Sequence, residues 1–478
     1  MRFTDTMRYT ISILFFSFWS IVNTIGQNTT IGGNAIGAEG LKIKLITSAD
    51  YISDLQKKID ECIIDSNGNF KLKTSINEVI YAQLQIGYLK GELYLEPGKT
   101  YKIKILQQNY RDDEKESPFL SKKKLDLEVN SNDTNDLNQK ISRFNVLYND
   151  FVINNFNAIY QRRDKGKIDS LQIKIIESLG KSTNSYLNNY IKYRIAGLEQ
   201  MGRLKNTKKL YSAYLMNQPV LYNHIEYMYF FNEYYEKFFF NGNHSLKNDD
   251  LKRFINVERN YTNLLDSLGR DSLVKNEVIR ELVFMKGLKE LYYSKIYNGD
   301  NIIDMLSRFS LRTKFQEHKK IAQNLIETFI ALKPGNKAPD FRLQDISGKT
   351  FTLSSFAGKY TYLGFFTTWC AGCMSENESV NELRKKYEDK VNFVFISADK
   401  QPLNLHYFLE KNKYEWYFLY SENNTDVMEN YGVKTFPVFM LIDPQGKIVN
   451  YPALKPSEGI EIIFNQLFKK EIPANNEN

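Results

Sequence analysis

The stretch Tyr360-Thr-Tyr-Leu-Gly-Phe-Phe-Thr-Thr-Trp-Cys-Ala-Gly-Cys373 decides the fold of the last third of this chain. Its apolar first part, up to Thr367, is typical of a buried strand, and the residues after Cys370 predict a helix to Tyr387. The two cysteines therefore stand where a strand ends and a helix begins. In that context, cysteines separated by two residues indicate a redox-active dithiol.

Cys370 and Cys373 are expected to differ in reactivity. Cys370 would lie at the helix N-terminus, where unpaired backbone N–H groups and the helix dipole favour an anion. Its thiolate should therefore form more readily than that of a free cysteine. Cys373 lies one turn further along and should stay protonated longer. This predicts that Cys370 attacks a disulfide and that Cys373 resolves the mixed disulfide.

Two other roles for the pair remain open on these residues alone. A zinc site needs four ligands, of which the pair supplies two, and His406 is the only histidine after His318. An inert structural disulfide is the second alternative, although a bridge that closes so small a ring constrains the unfolded chain least.

The sequence around the dithiol alternates strands with helices, as in a mixed α/β sheet. After Pro334-Gly335 the predicted elements include strand Val391 to Ala398, helix Pro402 to Lys411, helix Thr425 to Tyr431, strand Val438 to Ile442, the turn Asp443-Pro-Gln-Gly446 and strand Lys447 to Tyr451. Ser457 is predicted to cap a final helix that ends near Phe468. The predicted thioredoxin-like domain spans residues 333–470.

From Pro334 to Phe468 the chain resembles the TlpA/ResA-like branch of the thioredoxin superfamily, whose members are exported thiol-disulfide oxidoreductases. Besides the cysteine stretch, the resemblance rests on Gly335-Asn-Lys-Ala-Pro-Asp-Phe341, the hairpin Leu343 to Leu353 with Ser347-Gly-Lys349 at its turn, Thr435-Phe-Pro437 and Leu441-Ile-Asp-Pro-Gln-Gly-Lys447. It implies that Pro437 is a cis-proline facing the dithiol. It also implies that Phe436 and Trp369 contact a substrate segment. The alternative is a trans proline at the start of a strand.

The resemblance also suggests a residue for proton transfer. Classical thioredoxins carry a buried acid six residues before the first cysteine, but that position is Gly364 here. ResA-like relatives place a glutamate three residues after the second cysteine, and Glu376 occupies that position, on the same helical face as Cys373. Glu376 is therefore a candidate to exchange a proton with the dithiol. The alternative is a solvated glutamate that suits the helix dipole.

The resemblance implies exchange with protein disulfides, usually as a reductase that a membrane or periplasmic thiol-disulfide donor recharges, without a cofactor. Three alternatives remain open. The protein could be an oxidase or isomerase with a more oxidising potential. Thr367, three residues before Cys370, fits part of the peroxiredoxin pattern, although Leu363 replaces its proline. The chain could also mainly bind a partner, with the redox domain secondary.

Residues 28–110 predict an antiparallel β-sandwich. The turn Asp65-Ser-Asn-Gly-Asn69 and the pair Pro97-Gly98 each lie between alternating runs, which predicts two hairpins. Charged residues 111–135 predict a surface connection. Cys62 is predicted to be a buried apolar residue, with an intermolecular disulfide as the alternative. This region loosely resembles the β-domains that precede TlpA-like domains in exported Bacteroidetes-type proteins.

Residues 136–332 predict a helical bundle. Leu137, Ile141 and Phe144 follow helical spacing, and Pro219 is the only proline between Asp136 and Leu332. The aromatic residues from Tyr227 to Phe231 are predicted to pack in its core. The whole chain is therefore predicted to be multidomain α+β, with a β-sandwich, a helical bundle and a thioredoxin-like domain.

Composition excludes several classes of protein. The 64 Lys and Arg against 56 Asp and Glu leave a net charge of +8 in 478 residues, scattered rather than clustered, which argues against nucleic-acid binding. Three cysteines exclude a disulfide scaffold. Arg2 and Arg8 precede the apolar run Ile11 to Val22, so residues 1–27 predict a secretory signal, with an uncleaved anchor as the alternative. Export would place the chain in an oxidising compartment, such as the periplasm. The oligomeric state is not predicted.

Overall fold

A computed structural model describes residues 26–106, 124–131, 133, 135–242, 246–294, 296–399, 402–421, 425–433 and 435–469. The predicted signal at residues 1–27 lies almost wholly outside this part of the chain, and so does most of the predicted connection at 111–135. In the described residues no helix is long and apolar enough to cross a lipid bilayer. Sheets, then helices, then a mixed sheet follow one another along the chain.

The N-terminal region is a β-sandwich of two four-stranded sheets, in the orders β4-β1-β7-β8 and β3-β2-β5-β6. Its strands are β1 Gln27–Asn34, β2 Lys42–Ser48, β3 Gln56–Ile63, β4 Asn69–Ile76, β5 Ile80–Ile86, β6 Leu89–Leu95, β7 Thr100–Ile105 and β8 Leu127–Asn130. Residues alternate in and out along each strand, so that Phe70 and Leu72 of β4 are buried while Lys71 is exposed. The inward residues of both sheets form one apolar core.

Three expectations for the sandwich are wrong. Both predicted hairpins are crossings between sheets, because β3 and β4 belong to different sheets, as do β6 and β7. The chain reverses at each turn, but the two strands pack across the core instead of sharing a ladder. The sheets are not wholly antiparallel, since β1 pairs with β7 in parallel. Strand β8 also forms within the segment predicted as a connection and pairs with β7.

The middle of the described chain is helical, as predicted. Its α-helices are α1 Leu137–Asn154, α2 Gly166–Leu179, α3 Ser185–Met201, α4 Thr207–Tyr214, α5 Ile225–Tyr234, α6 Asn248–Lys252, α7 Tyr261–Leu268, α8 Glu277–Tyr292, α9 Gly299–Arg312 and α10 Gln316–Ile330. Asparagine caps several of them; the side chain of Asn276, for example, accepts hydrogen bonds from Val278 and Ile279. Tyr227, Phe230 and Phe231 are buried in the core, as predicted, but the prediction is wrong for Tyr229, which is 55% exposed on the opposite side of α5.

The C-terminal region is a seven-stranded mixed sheet in the order β10-β9-β13-β12-β11-β14-β15. Its elements are β9 Arg342–Gln344, β10 Thr350–Thr352, β11 Tyr360–Phe366, α11 Ala371–Tyr387, β12 Val391–Ser397, α12 Pro402–Asn412, β13 Tyr417–Tyr420, α13 Thr425–Asn430, β14 Val438–Ile442, β15 Ile448–Asn450 and α14 Ile460–Lys469. Strand β11 lies between β12, in parallel, and β14, in antiparallel. The carboxyl ends of β11 and β12 and the start of β14 therefore meet at one edge of the sheet.

Gly364 stands at the centre of β11 for a steric reason. A Cβ atom there would lie 2.9 Å from the Phe439 ring and 3.0 Å from the Phe395 ring. Aromatic rings from the two neighbouring strands therefore fill the position that carries a buried acid in classical thioredoxins. Strand β11 therefore carries no acidic side chain at this position.

Candidate functional site

The two cysteines lie at the start of α11, as predicted. Cys370 is the N-cap residue, and its Sγ accepts a hydrogen bond from the backbone N–H of Cys373 at 3.2 Å. The two residues are joined by a disulfide, with their Cα atoms 5.2 Å apart. Cys370 is partly exposed, whereas Cys373 is only 1% exposed. An incoming sulfur atom can therefore reach Cys370 but not Cys373.

A cis peptide bond between Phe436 and Pro437 lies beside the dithiol, and it confirms the predicted isomer. A Cβ atom built on Gly372, between the cysteines, would lie 3.8 Å from Cδ of Pro437. Phe436 is half-buried and packs against the apolar cores on both faces of the sheet. Trp369, directly before Cys370, is 37% exposed. Substrate contact by these three residues remains a prediction.

Glu376 is buried and held by a residue whose role the sequence did not reveal. It is 7% exposed, so the alternative of a solvated glutamate is wrong. Its carboxylate accepts the backbone N–H of Ser457 at 3.0 Å and the Ser457 hydroxyl at 2.6 Å. Ser457 does not cap the final helix; it lies in a short 3-10 turn, Pro456–Glu458, and α14 begins at Ile460. These two hydrogen bonds hold Glu376 one turn beyond Cys373.

Tyr362 keeps its hydroxyl proton because it is buried and lies near carboxylates. Tyr362 of β11 donates its hydroxyl to the Leu454 carbonyl at 2.7 Å. Burial, followed by the negative charges of Glu376 and Glu458, raises the pKa of Tyr362 well above its usual range. Glu458 itself pairs with Lys455 at 3.2 Å. Tyr362 therefore keeps its proton, which it donates to the Leu454 carbonyl.

Asp399 is a further site residue that the sequence analysis missed. It follows the carboxyl end of β12 and is 2% exposed. It accepts the Thr368 N–H at 3.1 Å, the Thr368 hydroxyl at 2.9 Å and the Ser397 hydroxyl at 2.5 Å. Asp399 thus anchors the loop that leads into Cys370. An acidic residue directly after a buried strand beside β11 was the available signal.

Thr367 takes part in the same loop through its backbone, since its carbonyl accepts the Cys370 N–H at 3.2 Å. Its hydroxyl is buried, and no hydrogen-bond partner for it lies among the described residues. Over that same part of the chain, no group of three or more His, Cys, Asp or Glu side chains is arranged to hold a metal ion.

Cys62 lies in the N-terminal sandwich, well before the dithiol in the sequence. It is in β3, opposite Ile43 of β2, and it carries a free thiol. Its side chain is half-buried at the edge of the sandwich core, so the prediction of a buried residue is only partly correct. It serves as an internal control for experiments on the other two cysteines.

The central strand, the N-capping cysteine and the cis-proline define a thioredoxin-fold redox domain. The family model Redoxin matches residues 333–464. The thiol-disulfide oxidoreductase ResA of Bacillus thuringiensis subsp. konkukian is 33% identical over 117 residues, which cover 24% of this chain and 66% of that protein. The thioredoxin-like protein YneN of Bacillus subtilis is 30% identical over 132 residues, covering 26% of this chain and 76% of that protein.

Among solved structures, the thioredoxin domain of a thiol-disulfide oxidoreductase from Bacteroides vulgatus is 25% identical, with a TM-score of 0.27, and covers 28% of this chain and 98% of that chain. Family membership rests on the sequence relatives. The chain belongs to the TlpA/ResA-like family of the thioredoxin superfamily. It spans about two thirds of the length of the first ResA relatives, and they match about a quarter of it.

Proposed function

We propose that this protein is an exported thiol-disulfide oxidoreductase that reduces protein disulfides with the Cys370/Cys373 dithiol. The observation that carries the proposal is the placement of Cys370. Cys370 is partly exposed at the N-terminus of α11, and its sulfur accepts the Cys373 N–H, next to a cis-proline. Backbone N–H groups at a helix N-terminus stabilise a thiolate, which is the nucleophile in disulfide exchange.

The exchange takes place in two displacements. The Cys370 thiolate attacks one sulfur of a substrate disulfide; a bond forms between them, and the other substrate sulfur leaves as a thiolate that takes up a proton. Cys373 then loses its proton and attacks the Cys370 sulfur. The Cys370–Cys373 disulfide forms, and the second substrate sulfur leaves and is protonated. Two electrons pass from the dithiol to the substrate.

Glu376 is proposed to assist the second displacement. Cys373 is buried, so its proton needs a nearby acceptor or a path to water. Glu376 lies one turn along the same helix and is oriented by both donors of Ser457. Trp369, Phe436 and Pro437 are proposed to hold an extended substrate segment over Cys370. The reaction requires no cofactor.

Direction, partners and location follow from chemistry and from the N-terminal sequence. Reduction consumes the dithiol, so a membrane or periplasmic thiol donor must restore it. In ResA-like relatives, reduction in an oxidising compartment is the direction that the resemblance implies. The apolar run after Arg2 and Arg8 supports export to the periplasm or cell envelope.

Insulin reduction by the full-length chain tests the proposal. Wild-type protein with a thiol donor should accelerate insulin precipitation, and Cys370→Ala should not. Cys373→Ala should accumulate a mixed disulfide that a reductant releases, and its captured proteins identify the substrates. Cys62→Ala removes the remaining described thiol and should retain full activity. Equal turnover by wild type and Cys370→Ala would show that dithiol catalysis is wrong.

The same preparation distinguishes the alternatives. A reduction potential near −120 mV, instead of near −270 mV, would favour an oxidase or isomerase. Peroxide consumption that depends on Cys370 but not on Cys373 would favour a peroxidase. Retention of a partner protein by Cys370→Ala, without any turnover by wild type, would favour a binding role.

A further inference from the structure

A row of polar residues lies on the outer face of the β3-β2-β5-β6 sheet, the face that points away from the sandwich core. Lys44 of β2 lies opposite Gln85 of β5, which lies opposite Lys90 of β6. The side chains of neighbouring strands on one face stand about 5 Å apart. Lys44 is 6% exposed and Gln85 is 1% exposed. Buried polar groups require partners, and the sandwich core lies on the other face.

Their partners are carboxylates of the redox domain. Lys44 forms an ion pair with Asp426 of α13. Glu429, on the same helix, accepts Nε2 of Gln85 at 3.2 Å and lies 3.6 Å from Nζ of Lys90. Residues three apart on a helix are also about 5–6 Å apart on one face. The spacing of the two carboxylates therefore matches the spacing of the strands.

Helix α13 connects this contact to the cis-proline. Six residues separate Glu429 from Phe436, and among them Tyr431 and Val433 are buried in the sheet core. Phe436 packs in the same core as Tyr431 and Val433. Because a close-packed core moves as one unit, a displacement of α13 would also move the Phe436–Pro437 segment.

We propose that the outer face of the β3-β2-β5-β6 sheet is a docking platform for the redox domain, and that Lys44 and Gln85 are positioning residues for its dithiol. They act through α13 on the cis-proline segment. The inference takes its substrate from the proposed function, but the contacts that carry it do not depend on that function. It assigns the N-terminal region a role in positioning the dithiol, although that region supplies no catalytic group.

Charge reversal tests the platform in the full-length chain. Lys44→Glu and Asp426→Lys each place like charges together, and the double variant restores an ion pair with reversed polarity. Lys58→Glu is the matched control, because Lys58 lies on β3 of the same sheet and forms its ion pair with Glu61 of that strand, not with α13. Lys90→Glu is a milder variant at the rim of the contact, in case Lys44→Glu fails to fold.

Two readouts are required. The first is the alkylation rate of reduced Cys370, which needs no substrate; the second is kcat/KM for insulin reduction. Each single variant should lower both by about tenfold, since small misplacements of reacting groups cost that much or more. The double variant should recover most of the loss, and Lys58→Glu should match wild type. Lys90→Glu should show a smaller loss in the same direction.

Two results would overturn the platform: single variants that match Lys58→Glu in both readouts, or a double variant that recovers nothing although its tryptophan fluorescence shows a folded redox domain. Failure of the proposed function gives a different result. In that case wild type does not reduce insulin, while the alkylation rate still responds to Lys44→Glu and recovers in the double variant.

Discussion

Replacement of Asp399 by alanine removes the acceptor that holds the loop before Cys370. Its carboxylate binds the Thr368 N–H, the Thr368 hydroxyl and the Ser397 hydroxyl at 3.1, 2.9 and 2.5 Å. The residue is 2% exposed, so water cannot readily replace the lost oxygens. Asp399→Ala therefore leaves up to three donors without their acceptor.

The magnitude follows from these contacts. Hydrogen bonds to charged groups contribute roughly 1.5–3 kcal/mol each, so three of them give an upper range of about 4.5–9 kcal/mol. The two hydroxyls can rotate toward other acceptors, whereas the backbone N–H of Thr368 cannot. We therefore expect Asp399→Ala to lower the free energy of unfolding of the redox domain by about 3–5 kcal/mol.

Tryptophan fluorescence during urea unfolding measures this change selectively. Of the three tryptophans in the sequence, Trp369 and Trp416 lie in the redox domain and Trp19 precedes the described residues. Asp389→Ala is the matched control, because Asp389 is exposed in the same domain. It should shift the free energy of unfolding by less than about 0.5 kcal/mol.

The variant should also slow alkylation of reduced Cys370, because the loop that carries it loses its anchor. Thr368→Val, which removes only one donor, should lie between Asp399→Ala and wild type in both measurements. If Asp399→Ala unfolds at the same urea concentration as Asp389→Ala, the hydrogen bonds to Asp399 do not hold the loop, and the reasoning is refuted.

Three further predictions concern other groups. Ser457→Ala removes the hydroxyl that binds Glu376 at 2.6 Å, so it should cost about 1.5–3 kcal/mol in unfolding free energy and alter the pH profile of dithiol alkylation. Ser457→Thr should restore both, and an unchanged profile would exclude coupling to the dithiol. Burial is the main cause that raises the pKa of Glu226 from 4.5 to about 7. The folded chain then binds the extra proton, so the unfolding free energy should fall by about 3 kcal/mol as pH rises through that window. Circular dichroism should show this slope for wild type but not for Glu226→Gln, and equal slopes would contradict it. Gly364→Ala places a methyl group 2.9 Å from the Phe439 ring, which should destabilise the redox domain by about 1–3 kcal/mol; a urea midpoint equal to that of wild type would show that the rings have room.

Local chemistry was sufficient to predict the core of the candidate site. The strand that ends at Phe366 and the helix that follows Cys370 are set by residues adjacent in sequence, and so is the N-capping position of Cys370. The cis bond at Pro437 followed from a short motif that resembles a known family. The helical spacing in residues 136–332 likewise needed no distant contact.

Contacts between distant residues were not predictable in the same way. Ser457 was read as a helix cap because serine favours that position, but 81 residues separate it from Glu376, whose buried carboxylate takes both of its donors. The residues around Asp399 form no recognisable motif that would reveal its partner, because Asp399 follows β12 whereas Thr368 lies in the loop after β11. Turn residues correctly indicated reversals at Asp65 and Pro97, yet they do not specify which strand becomes the neighbour.

The sequence by itself determined the dithiol, its helix and the succession of a strand-rich, a helical and a mixed region, because these depend on residues that are neighbours along the chain. Only the tertiary structure decided how the two sandwich sheets are paired, what holds Glu376, and that Lys44 meets Asp426 across 382 residues. Such pairings depend on which buried polar groups find partners once the cores have formed. These contacts depend on how the chain packs in three dimensions, so no pattern of neighbouring residues predicts them.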